Sequence, residues 1–218
     1  MVFGIYGAGG SGRSFMNLAL RYNKEAHEWE DIVYVDDVIG VSEWEGRKVY
    51  TFEEATKIYS VHEIQFIISQ GEPATREKIY HKIRSEGYEL CSYIDKRAVI
   101  CDGVVIGKGC MIAPNVYIDA NVKIEDNTMV YVGAVIGHDI NIGKHCVISA
   151  NSFIAGYSIL GEKIYVGPGA MVRDRINIGE EAVLAMGAAI YKDVPAKSVA
   201  IGNPARNSKK QEGKGLFG

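Results

Sequence analysis

From Ile94 to Ile190 an aliphatic residue falls at every sixth position without a break, through Ile100, Ile112, Ile124, Val130, Ile136, Ile148, Leu160, Val172 and Leu184. Four residues after each stands a small or branched side chain, such as Ala98, Val104, Cys110, Val116, Cys146, Ala170 and Ala182. An α-helix of 3.6 residues per turn cannot hold a six-residue comb on one face, whereas a coil of three short strands per turn can. Each hexapeptide is therefore predicted to be one flat side of a triangular prism. Its aliphatic residue points inward and stacks on the equivalent residue 18 positions later. Successive coils then pair through parallel backbone hydrogen bonds about 4.8 Å apart. Residues 94–193 make roughly five and a half such coils.

The first half carries a different pattern. MVFGIYGAGGSGRSFMNLALRY opens with a short apolar strand, turns through Gly7, Gly9, Gly10 and Gly12, and takes helical spacing through Phe15, Leu18 and Ala19. DIVYVDD reads as a second strand ending in Asp36 and Asp37; QFIIS (65–69) reads as a third, ending near Gly71, with a helix around ATREKIYHKIRSEG. This is a Rossmann-like βαβαβ half. Glycines let a backbone approach a phosphate, and the N–H groups that open the following helix favour an anion. The same turn also occurs in folds that hold no nucleotide. A dinucleotide straddles two βαβαβ halves, and only one fits before Ile94, so a single nucleotide suits the space better.

Composition narrows the classes. A formal net charge of -3 over 218 residues gives no basic field for nucleic acid or anionic lipid. No run of about 18 apolar residues and no basic-headed leader is visible, which places the chain in the cytoplasm. The four cysteines, Cys91, Cys101, Cys110 and Cys146, show no CxxC pair or zinc spacing and read as buried thiols; no metal is expected.

One imidazole interrupts the comb. His138 lies two residues after the inward Ile136, at a prism corner, so its ring is expected to project outward. From spacing alone this is either a surface histidine or a functional one. Acetyl transfer from a thioester needs a group that takes the proton of the attacking amine or hydroxyl, and a neutral imidazole, which in water takes up a proton at about pH 6.5, can do so. Asp139 next to it can hold the ring tautomer. Gly156, one coil on, shares the corner and leaves a backbone N–H open to a thioester carbonyl. His145 leaves a neighbouring side about 120° away, so the two rings are not expected to share an ion within one chain.

The repeat resembles that of the hexapeptide-repeat acyltransferases, which implies an all-β left-handed parallel β-helix that assembles as a homotrimer. KDVPAKSVAIGNPARN (192–207), with Pro195, Gly202 and Pro204, resembles the closing segment of that family. The whole arrangement is similar to the bacillosamine- and perosamine-type N-acetyltransferases of nucleotide-linked amino sugars and to the related sialic acid O-acetyltransferases. GAGGSGR, VDD and SQGEPATR match loops that hold the nucleotide in that group, implying Ser11, Gly12, Arg13, Asp36, Asp37 and Gly71 as substrate-binding residues. GHDINIG falls where the group carries its catalytic histidine and a following acid, implying His138 as general base, with Asp139 and with Gly156 as oxyanion donor. Acetyl-CoA is the implied co-substrate, held through Ala185, Gly187, Lys192, Pro195, Gly202 and Pro204.

Two positions depart from the group's pattern: Gly137 stands where an acid is common, and Val147 where a second histidine is common. The domains expected are 1–93 for nucleotide-sugar binding, 94–207 for acetyl transfer and 208–218 as a mobile tail. The implied activity is an acetyl-CoA-dependent N-acetyltransferase on a UDP- or GDP-linked 4-amino sugar in bacterial surface glycan biosynthesis. Alternatives are sialic acid O-acetylation, a non-catalytic sugar-nucleotide binder, and a metal-dependent carbonic anhydrase on the same prism. The last needs three converging histidines, and only His138 and His145 lie on the prism.

Overall fold

The computed structural model describes residues 1–209. Close backbone contacts divide the chain into two compact units: residues 1–71 with 78–92, and residues 72–77 with those from 93 onward. Among the described residues no helix is long and apolar enough to cross a membrane.

The first unit is built on β1 (Val2–Tyr6), α1 (Gly10–Ala26), β2 (Asp31–Val35), β3 (Glu43–Trp44), β4 (Arg47–Tyr50), α2 (Phe52–Ile58) and β5 (Ile64–Ile68). α3 (Pro73–Ser85) begins in the second unit and continues in the first. The sheet order is β3-β4-β2-β1-β5, with β1 parallel to both β2 and β5. β1 is buried on both faces, as a parallel strand covered by helices must be. On one face Phe3 stacks on Trp29 at 4.0 Å and meets Phe15 edge-on. On the other, Tyr6, Phe52, Phe66 and Tyr88 pack together. The predicted βαβαβ order holds, with α2, which the sequence analysis did not locate, as its second helix and the β3–β4 hairpin inserted before it. α2 starts at a capping box, in which the Thr51 side chain accepts from Glu54 N–H and the Glu54 carboxylate accepts from Thr51 N–H.

The second unit is the predicted left-handed parallel β-helix. Two-residue strands recur every six residues from Tyr93–Ile94 to Ala189–Ile190, and each pairs in parallel with the strand 18 residues away, as Ile118 does with Ile100 and Ile136. Comb positions from Ile112 to Ile190 are 2% exposed or less, and burying each such side chain contributes roughly 1.5–3 kcal/mol. Ile94 and Ile100 differ from expectation, being 40% and 37% exposed, because no coil lies beneath the first one.

Cys110 and Cys146 fill the small-residue slots and are fully buried, which pushes their thiols up to about 11 and about 12. Cys91 and Cys101 are only half-buried, contrary to the reading of four buried thiols. The prism closes with Ser198–Ile201, which runs parallel to Val183–Leu184 and antiparallel to Arg206–Lys209. The expected tail thus starts too early, since Ser208 and Lys209 are strand residues held by this ladder; 210–218 lie outside the described residues.

Candidate active site

Prism corners force the left-handed backbone region on residues other than glycine. Asn121, Asp139, Tyr157 and Arg175, each 18 residues from the last, have φ of +58°, +57°, +60° and +60° and form one column along an edge. Asn and Asp accept this conformation most readily. His138 precedes Asp139 at that corner, and its side chain is 47% exposed, as its corner position predicts.

His138 Nδ1 lies 2.9 Å from Asp139 Oδ2. An ionised carboxylate only accepts, so Nδ1 carries the proton and Nε2 presents its lone pair. The imidazole first, and then the Asn121 amide 3.2 Å from Oδ1, hold the Asp139 carboxyl below the usual carboxylate range. Across the ring, Tyr157 meets His138 edge-on with centroids 4.9 Å apart, and the Arg175 guanidinium lies 4.4 Å over the Tyr157 ring. The imidazole lies directly across Gly156: a Cβ there would come within 2.8 Å of Cε1 and 2.9 Å of Nε2. Among the described residues the Gly156 N–H donates to no backbone carbonyl. Asn121, Tyr157 and Arg175 escaped the sequence reading, although the 18-residue step from Asp139 leads to all three.

His145 has a different environment. It is 3% exposed, and its Nδ1 lies 2.9 Å from Asn127 Nδ2. Asn127 Oδ1 accepts from Arg76 Nη2 at 2.7 Å, which fixes the amide orientation and makes His145 Nδ1 an acceptor. Arg76 Nε and Nη2 also donate to the Asn127 carbonyl, and the Asn127 amide donates back to the Arg76 carbonyl. Burial lowers the Arg76 guanidinium to about 10. This corner is a packing contact, unlike the open one at His138, and nothing in the sequence pattern singled out Arg76.

The residues expected to hold coenzyme A gather on the upper coils and the closing segment. Ala185 is half-buried, while Gly187, Lys192, Pro195, Gly202 and Pro204 are exposed. Gly187 and Gly202 take φ of +66° and +96°, which glycine adopts without strain.

In the first unit, the loops after β1, β2 and β5 are tied together. Gly7 N–H donates to Val35 O at 2.7 Å, Ala8 N–H to Asp36 Oδ2 at 2.8 Å, and Ser69 N–H to Tyr6 O at 2.9 Å. The start of α1 has no side-chain cap and no acid in its first turn, and a Cβ on Gly9 or Gly10 would meet nothing within 4 Å. Gly12 is confined instead: a Cβ there would lie 1.8 Å from Gly7 O. Ser11 and Arg13 share that first turn, Arg13 resting 4.5 Å from the Trp44 ring centroid. Gly71 follows the β5 loop and is half-buried.

Asp36 and Asp37 prove to have structural partners that the sequence did not indicate. Asp36 Oδ1 accepts from Val38 and Ile39 N–H. Asp37 accepts from the Tyr6 hydroxyl, from Lys82 Nζ and from Phe52 N–H. Burial opposes its ionisation, yet Lys82, Tyr6 and Phe52 together hold its carboxyl below the usual range. Both carboxylates border an open cleft of about 560 Å³ that also touches Lys48, Tyr50 and Thr51.

Residues 3–83 match the PglD N-terminal domain family, and 91–120 and 121–156 match the bacterial transferase hexapeptide family. PerB from Caulobacter crescentus, solved in complex with CoA and GDP-perosamine, is similar at 26% identity and a TM-score of 0.84, over 95% of this chain and 97% of that one. The acetyltransferase domain of PglB from Neisseria gonorrhoeae FA1090 shares the fold at 24% identity and a TM-score of 0.87, over 95% and 99% of the two chains. WeeI from Acinetobacter baumannii AYE does so at 24% identity and a TM-score of 0.78, over 95% and 100%. With both families matched in sequence order and the paired fold reproduced along the chain, the protein belongs to the hexapeptide-repeat sugar acetyltransferases that carry a PglD-type N-terminal domain.

Proposed function

We propose that the protein transfers an acetyl group from acetyl-CoA to the amine of a nucleotide-linked amino sugar, of the UDP- or GDP-4-amino type, in bacterial surface glycan biosynthesis. The observation that carries this reading is the exposed His138, held through Nδ1 by Asp139 with Nε2 free to accept, and lying across a glycine with an available N–H. The neutral amine attacks the thioester carbonyl carbon, and its proton passes to Nε2 of His138. Gly156 N–H donates to the oxyanion, a contact worth about 2.7–4 kcal/mol in other acyl-transfer enzymes. Collapse of the intermediate expels the CoA thiolate, which takes the proton from the imidazolium. Asp139 stabilises that imidazolium without itself accepting the proton.

For the acyl donor, Lys192 offers a cation to the phosphates of coenzyme A, with Ala185, Gly187, Pro195, Gly202 and Pro204 shaping its cradle. For the sugar nucleotide, the uncapped start of α1 at Ser11, Gly12 and Arg13 suits a diphosphate. Asp36, Asp37 and Gly71 border the loops beside it, and the two carboxylates act chiefly by holding those loops in place. PerB, whose solved complex contains CoA and GDP-perosamine, supports both substrate classes. A homotrimer is supported by an apolar ladder on one prism face: Val99, Tyr117, Phe153 and Met171 are 54%, 38%, 43% and 50% exposed and stand in register.

The test is to incubate the protein with acetyl-CoA and a UDP- or GDP-linked 4-amino sugar, following free thiol and the mass of the sugar nucleotide. One added acetyl group per thiol released is expected, and His138→Ala should abolish both. Unchanged turnover by that variant would remove the base from the reading.

A further inference from the structure

Both oxygens of the Asp139 carboxylate are committed: Oδ2 to His138 Nδ1 at 2.9 Å, and Oδ1 to Nδ2 of Asn121 at 3.2 Å. Asp139 is 38% exposed, so water competes for it, and one hydrogen bond to the ring leaves the carboxylate free to turn about its side-chain torsions. The second bond removes that freedom. Asn121 can supply it because its own backbone is anchored, its N–H donating to Asp102 O at 3.3 Å and its φ sitting at +58°. One coil below lies Gly103, where a Cβ would stand 2.7 Å from Asn121 Oδ1. Only a residue without a side chain lets the amide lie as it does. The carboxylate accepts and cannot donate, so it is the amide nitrogen of Asn121, and not its oxygen, that faces Asp139.

We propose that Asn121 is a positioning residue for acetyl transfer: it fixes the Asp139 carboxylate so that His138 keeps its proton on Nδ1 and offers Nε2 to the attacking amine. This rests on the reading of His138 as base. The linked order is Asn121, Asp139, His138, with Tyr157 bounding the ring on the far side at 4.9 Å. Asn121 touches no reacting atom and acts through Asp139. A positioned second layer of this kind is common behind reactive imidazoles, where the group bonded to one ring nitrogen decides which nitrogen is free.

A plainer account of Asn121 is available from the fold. Asn115, Asn127 and Asn151 also occupy left-handed corners, where asparagine is the least strained residue after glycine. The two accounts separate in Asn121→Gly, which keeps the left-handed corner and removes only the amide. If the amide positions Asp139, the neutral His138 ring shifts from the Nδ1–H toward the Nε2–H tautomer, read from its imidazole ¹⁵N signals, assigned by their loss in His138→Ala. In the same variant kcat falls about 5-fold, the effect of losing one partly exposed hydrogen bond to a charged group, while KM and Tm stay put.

Asn121→Asp sets a second carboxylate against Asp139 and should fall below Asn121→Gly in kcat. A wild-type tautomer and wild-type kcat in Asn121→Gly would leave the amide with a backbone role only and overturn the proposal. His138→Ala run alongside keeps the two readings apart: turnover surviving in it removes the base itself, whereas its loss beside an unchanged Asn121→Gly rejects the positioning role alone.

Discussion

Replacing Gly156 by alanine should damage turnover while sparing the fold. A Cβ built on Gly156 lies 2.8 Å from Cε1, 2.9 Å from Nε2 and 3.2 Å from Nδ1 of His138. Ordinary carbon contacts begin near 3.5 Å, so the ring must retreat by about 0.7 Å. The imidazole is the free end of a half-exposed side chain and can move; the Gly156 backbone lies outside the region that strains alanine. Moving away from Gly156 disturbs the 2.9 Å contact with Asp139 and displaces Nε2 from the position at which the proposed mechanism has it accept the amine's proton. A misplacement of this size costs on the order of 10²-fold in rate. Gly156→Ala is therefore expected to keep its Tm within about 2 °C, to keep its affinity for coenzyme A, and to lose roughly 100-fold in kcat. The backbone N–H survives the substitution, so the loss would be assigned to the ring. Thermal unfolding, coenzyme A titration and steady-state kinetics on one preparation decide it. Wild-type kcat with wild-type Tm would refute the placement of the imidazole across Gly156.

Tyr34 is 1% exposed and among the described residues its hydroxyl has no hydrogen-bond partner, so Tyr34→Phe should stabilise the protein by about 1 kcal/mol and raise Tm by about 2–4 °C; a fall would show that the hydroxyl is satisfied. Asp37 has a depressed folded-state pKa, so its ionised form contributes stability that is complete above about pH 4 and is lost as pH falls through the folded value. In urea melts the gap between wild type and Asp37→Asn should therefore close between about pH 5 and pH 2, modestly because the side chain is 33% exposed; a gap independent of pH would refute the ion-pair account. His145→Ala removes one of the two acceptors of the buried Asn127 amide, the Arg76 carbonyl being the other, and empties a buried site, so it should lower Tm by several degrees at unchanged kcat, whereas lost turnover at full stability would give His145 a catalytic role.

The prism was legible because its comb is periodic: an inward aliphatic every six residues admits one geometry, and His138 followed as an outward corner residue. The β3–β4 hairpin and α2 were missed for local reasons. Glu43–Trp44 and Arg47–Tyr50 are too short to show alternation, although the Thr51 to Glu54 capping box that opens α2 was readable. Asp36 and Asp37 were placed correctly at the end of a strand, but their partners, Ala8 N–H and Lys82, lie 28 and 45 residues away and leave no trace in local pattern. His145 was equally opaque. Its neighbour, the Asn127 amide, is oriented by Arg76, 51 residues before Asn127, and a corner histidine looks the same in sequence whether solvent or a buried amide faces it.

That difference between corners determines where chemistry can sit on such a fold. Inward positions are sealed in the aliphatic stack, so a reactive side chain has to stand at a corner, and its neighbours are the residues 18 before and 18 after it. The candidate site is accordingly a column along an edge, and no contiguous motif contains it. Stability and activity then separate by what faces each glycine. At Gly143 a Cβ would meet backbone, 2.7 Å from the Gly161 carbonyl carbon and 2.9 Å from Glu162 N, with nothing flexible to yield. Gly143→Ala should thus cost the overpacking penalty of about 1–3 kcal/mol. The three atoms nearest a Cβ on Gly156 all belong to the movable His138 ring, so the same methyl is tolerated by the coil and felt by that imidazole. A glycine whose substitution leaves the prism intact but silences transfer therefore marks the reactive edge.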